Sequence, residues 1–78
     1  MGKVWKIRLR SIPEIRQFCM LADACDFDIN IGYDMVHIDG KSLIGVMGLD
    51  LGRVLTVSYD GECKPFEEYL MTKGERQE

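Results

Sequence analysis

The chain has 78 residues, 46% of them apolar and 29% charged, which describes one ordinary globular domain over residues 1–78 with no room for a second core or a deep interdomain cleft. The net charge of −3 disfavours nucleic-acid binding through phosphate neutralisation, and no apolar run approaches the roughly 18–20 residues of a membrane helix. No apolar segment near the start resembles a secretory signal, and Lys6 stands where N-myristoylation requires serine or threonine, so a cytoplasmic location is expected.

The stretch Val4 to Arg10 alternates strictly: Trp5, Ile7 and Leu9 on one face, Lys6, Arg8 and Arg10 on the other. That period of two predicts a strand with one face on a core and one in water, as in an antiparallel sheet. Ser11-Ile12-Pro13-Glu14 then has the spacing of a capping box, with proline in the first turn. Ile15, Phe18, Cys19 and Ala22 follow at helical spacing, and Asp23, Asp26 and Asp28 predict a stop near Ala24.

Phe27, Ile29 and Ile31 alternate with Asp28 and Asn30 and predict a second strand. Gly32-Tyr33-Asp34 reads as a turn, and Met35 to Asp39 as a third strand closing a hairpin. Ser42 is placed to cap a short helix over Leu43-Ile44-Gly45-Val46-Met47-Gly48-Leu49, whose two glycines each cost about 1 kcal/mol relative to alanine. Packing must hold that helix. Arg53 to Tyr59 form a fourth strand, with Leu55, Val57 and Tyr59 on one face. Asp60-Gly61 is a turn, and Pro65 opens a last helix with Phe66, Tyr69 and Leu70 on its apolar stripe. The polar end, Gly74 to Glu78, is expected to fray. The order β-α-β-β-α-β-α predicts an α+β open-faced β-sandwich, a four-stranded antiparallel sheet with helices on one face.

Chemistry-bearing residues are few. Cys19, Cys25 and Cys63 make an odd count with no C-x-x-C pair, a poor basis for a disulfide framework or a zinc site. The single histidine, His37, is out of phase with Val36 and Ile38 and is expected to face solvent or a sheet edge. Residues 1–16 carry five basic side chains and one acid, whereas residues 17–78 carry five basic and twelve acidic. The basic strand is expected to pair mainly within the fold.

The element order at this length, with Gly40-Lys41-Ser42-Leu43-Ile44-Gly45-Val46-Met47-Gly48-Leu49, resembles the HPr proteins of the bacterial phosphotransferase system. Gln17-Phe18, the Phe27–Ile31 strand and Val54-Leu55-Thr56-Val57 extend the similarity over about residues 3–72. In that family a histidine at the start of the first helix, in a Gly-Leu-His-x-Arg-Pro pattern, passes phosphate from enzyme I to a sugar-specific subunit. Here the matching stretch is Leu9-Arg10-Ser11-Ile12-Pro13-Glu14, with Ser11 at the acceptor's place, Pro13 at the arginine's and no histidine before residue 37.

The resemblance implies a degenerate homologue without phosphocarrier or enzymatic activity, similar in logic to the catabolite-repression homologue of HPr. It marks Ser42 as the position of the family's regulatory serine, which a dedicated ATP-dependent kinase phosphorylates. Leu43, Ile44 and Met47 match its partner-docking patch. The implied partners are HPr kinase and phosphotransferase-system or transcriptional regulators, with no cofactor or metal. Two alternatives stay open: an active phosphocarrier with an unusual acceptor (Ser11, His37 or a cysteine), and an interaction module unrelated to sugar uptake.

Overall fold

The computed structural model describes residues 2–78; Met1 lies outside the described residues. In chain order the elements are β1 (Lys3–Ile7), α1 (Ile12–Asp23), β2 (Ile29–Tyr33), β3 (Val36–Asp39), α2 (Leu43–Met47), β4 (Leu55–Tyr59), α3 (Lys64–Lys73) and β5 (Gly74–Gln77). The strands form one open sheet in the order β3-β2-β4-β1-β5, with every neighbouring pair antiparallel. None of the described helices is long and apolar enough to cross a membrane.

Strand alternation sorts the two faces. Trp5, Ile7, Ile29, Ile31, Leu55, Val57 and Tyr59 are buried on the helix side, while Lys6, Asn30 and His37 are exposed on the other. The helices close the core with Ile15, Phe18 and Ala22 from α1, Val46 from α2, and Phe66 and Leu70 from α3. Phe18 packs against Phe66 with ring centroids 5.5 Å apart, which ties α1 to α3. The apolar stripes expected of the first strand, first helix and fourth strand are those that are buried.

The sheet has five strands where four were expected. Gly74 to Gln77 do not fray: they pair with β1 in the register Val4↔Gln77 to Ile7↔Gly74. Backbone pairing explains a strand that carries no apolar alternation, because β1 would otherwise present an unpaired edge. Gly74 makes the approach feasible. A Cβ there would lie 1.9 Å from the Lys6 carbonyl oxygen, a contact no side chain tolerates.

The hairpin turn also moves. Its two-residue loop is Asp34-Met35, set by the Tyr33↔Val36 pair, and Asp34 takes the positive φ of 52°. Gly32 lies inside β2, where a Cβ would meet the Val36 carbonyl oxygen at 1.8 Å. Glycine therefore serves close backbone approach here, not turn geometry. Phe27 lies before β2 and stacks on Tyr59 at 5.3 Å.

Candidate functional site

Ser11 is the N-cap of α1, with φ −149° and ψ 161°. Its Oγ accepts from the Glu14 backbone N–H at 3.4 Å and donates to Glu14 Oε1 at 3.2 Å. The same carboxylate oxygen accepts from the Arg10 N–H at 2.8 Å, completing the capping box, and Oε2 accepts from Lys73 Nζ at 2.6 Å. The Lys73 hydrogen bond, followed by that from the Arg10 amide, holds the Glu14 carboxyl below its ordinary value. The negative charge that a helix N-terminus favours is thus supplied by the chain's own side chain.

His37 is exposed on β3, opposite Gly32 and on the helix-free face of the sheet. Ser11 belongs to the helical layer on the other face. The structure does not bring these two candidate acceptors together.

Ser42 is exposed and caps α2, with φ −90° and ψ 103°. Its Oγ accepts from the Gly45 N–H at 3.2 Å, and its own N–H donates to the Asp39 carbonyl at 3.0 Å. Neighbouring Lys41 donates its backbone N–H to Asp39 Oδ1 and its Nζ to the Cys25 carbonyl, both at 2.9 Å. Unlike α1, α2 has no acid in its first turn.

Five residues form α2, and Val46 is its buried anchor, with Leu49 buried just beyond. A Cβ at Gly45 would crowd the capping Ser42 Oγ at 3.2 Å and touch Ile38 Cδ1 of β3 at 3.4 Å. Leu43, Ile44 and Met47 face outward at 37%, 87% and 45% exposure. Packing anchors α2 through one residue and leaves an aliphatic face in water.

That apolar surface extends further than the sequence reading marked. Lys73 and Tyr69 reach Glu14, so the Glu14 flank of α1 faces α3. By helical spacing, Ile12, Arg16 and Met20 lie on the opposite flank, toward α2, and Ile12 and Met20 are exposed. Their i, i+4, i+8 spacing is visible in the sequence; the position of α2 beside them is not.

Other polar side chains bond within the fold. Trp5 Nε1 donates to the Tyr59 hydroxyl at 3.0 Å, which donates to Glu67 Oε2 at 2.5 Å, and Lys3 Nζ donates to the same oxygen at 2.8 Å. Burial raises the Glu67 carboxyl, but the Lys3 and Tyr59 hydrogen bonds outweigh it and hold the group below its ordinary value. The basic strand pairs within the fold: Lys6 Nζ donates to Thr56 Oγ1 at 2.7 Å and Arg8 to the Gly52 carbonyl at 3.2 Å. Among the described residues no group of three or more His, Cys, Asp or Glu side chains is placed to hold a metal ion. No protein-family model matches the chain, and no curated protein matches it in sequence.

Proposed function

We propose that the chain is an HPr-like regulatory homologue that binds protein partners through the exposed face of α2 and does not relay phosphate. The observation that carries this reading is the disposition of α2: Val46 buried, and Leu43, Ile44 and Met47 turned to solvent on a short helix capped by Ser42. Exposed aliphatic and methionine side chains in a cluster suit adaptable protein contacts. The first seven elements run in the order β-α-β-β-α-β-α that the resemblance implies, with β5 added.

The chemistry at the first helix supports the loss of phosphate relay. Phosphoimidazole is a reactive donor near neutral pH, whereas a serine phosphoester is stable and does not pass its phosphate on at comparable potential. Ser11 also holds a carboxylate against its hydroxyl. Partners in this reading are HPr kinase and phosphotransferase-system or transcriptional regulators, with Ser42 as the modified residue.

Incubation with HPr kinase and ATP, followed by intact-mass measurement and site mapping, tests the reading. One phosphate on Ser42, absent from Ser42→Ala, is the expected result. An acid-labile phosphate acquired from phosphoenolpyruvate and enzyme I would refute the loss of relay, and an unmodified Ser42 would remove the regulatory serine from the reading.

A further inference from the structure

The three cysteines are all free, but they do not share one environment. Cys19 is buried on the core face of α1, where burial and the nearby Asp39 charge push its thiol up. Cys25 follows the C-cap of α1 and is 6% exposed, and its Sγ donates to the Leu21 carbonyl at 3.4 Å. Cys63 is the half-buried N-cap of α3, yet its thiol makes no capping bond. It packs instead against the core cluster that contains Cys25. Burial, and after it the neighbouring Cys63 thiol, push the Cys25 thiol up to about 12.

Structure around the pair holds it together without the sulfurs. Phe27, two residues after Cys25, stacks on Tyr59, and the Tyr59 ring meets Phe66, three residues after Cys63, at 5.5 Å. Gly61 lies so close to the Phe27 ring that a Cβ would be 2.3 Å from a ring carbon. The connection leaving α1 and the connection entering α3 are therefore clamped side by side by aromatic contacts.

We propose that Cys25 and Cys63 form a reversible intramolecular disulfide by exchange with a low-molecular-weight disulfide. Cys63, the more accessible of the two, gives up its proton and attacks one sulfur of the small disulfide, forming a mixed disulfide and releasing one small thiol. Cys25 then loses its proton and attacks the Cys63 sulfur, closing the protein disulfide and releasing the second small thiol. The two protein thiols are oxidised, the small disulfide is reduced to two thiols, and the protons are taken up by the departing thiolates. Cys25 is screened from solvent, so the buried thiol resolves and the half-buried one initiates.

The test exposes the native chain to oxidised glutathione, stops exchange with acid, unfolds the chain in the presence of an alkylating agent to block remaining thiols, and maps the peptides by mass. The expected product has lost two hydrogens, carries one alkyl group on Cys19, and yields a Cys25–Cys63 linked peptide. Cys19→Ser leaves the linkage intact, and dithiothreitol removes it. A glutathione adduct that persists on Cys63, a linkage involving Cys19, a disulfide-bonded dimer, or a Cys25–Cys63 linkage formed only in denaturant would each overturn the proposal.

Discussion

Two neighbouring residues on α2 give the sharpest test of how this surface is built. Residues 44 and 46 lie on nearly opposite sides of a helix, and Ile44 is 87% exposed whereas Val46 is 0%. Val46→Ala removes two buried methyl groups, about 1.6 kcal/mol at roughly 0.8 kcal/mol per buried carbon. The cavity left behind brings the loss to about 2–3 kcal/mol. At roughly 4–8 °C per kcal/mol for a domain of this size, Tm falls by about 8–24 °C. Ile44→Ala deletes a larger side chain but should change stability by no more than about 0.5 kcal/mol, because nothing packs over it. Urea unfolding followed by fluorescence provides the assay, since the sole tryptophan, Trp5, is buried and bonded to Tyr59. Equal losses, or a larger loss for Ile44→Ala, would mean that α2 is rotated on the sheet and would refute the assignment of its solvent face.

Two further substitutions test the frame that carries α2. Gly74→Ala should detach β5 and lower stability by about 1–3 kcal/mol, matching a chain ended at Lys73, because the added Cβ collides with the Lys6 carbonyl; unchanged stability would refute the β1–β5 pairing. Glu14 and Glu67 are both held below their ordinary value of 4.5, so the stability they contribute is fully present above that pH and is lost as pH falls through their folded-state values. Burial raises the Tyr69 hydroxyl to about 12, and the stability linked to it is present below pH 10 and lost as pH rises through the folded value. Urea midpoints from pH 3 to 6 should rise less steeply in Glu67→Gln than in the parent chain, and an identical slope would refute the contribution of Glu67.

What the sequence discloses here follows from how local each determinant is. The Ser11 capping box, the Ile15-Phe18-Cys19-Ala22 stripe and the Ser42 cap depend on residues within two turns of one another, and each appears in the structure as read. The outward face of α2 was legible for a related reason: so short a helix, with Val46 and Leu49 directed inward, has to leave other apolar residues in water. β5 was not legible. Its sequence, GERQ, lacks alternation, and its formation depends on the outer edge of β1 some seventy residues earlier in the chain. The turn shifted because glycine has two uses, and Gly32 answers the close approach of Val36, not the φ of the turn. Glu14 is the intermediate case. Its place in the capping box is local, but its ion pair with Lys73 appears only when α3 folds against α1.

That ion pair bears directly on which serine can carry charge. Ser11 and Ser42 are both N-caps, and both accept from the backbone N–H three residues on. At Ser11 the hydroxyl also donates to Glu14, so a phosphoryl group there would lie against a carboxylate already fixed by Lys73 and the Arg10 amide. Modification would expel that carboxylate from the helix end and strand Lys73, opposing charge with charge. At Ser42 no carboxylate occupies the first turn, the hydroxyl is exposed, and Lys41 precedes it. Ser11→Ala should therefore cost about 1 kcal/mol as the loss of a cap and leave any kinase-dependent modification unchanged. A fall in phosphate incorporation in folded Ser11→Ala would place charge where Glu14 should forbid it, and the electrostatic distinction between the two caps would fail.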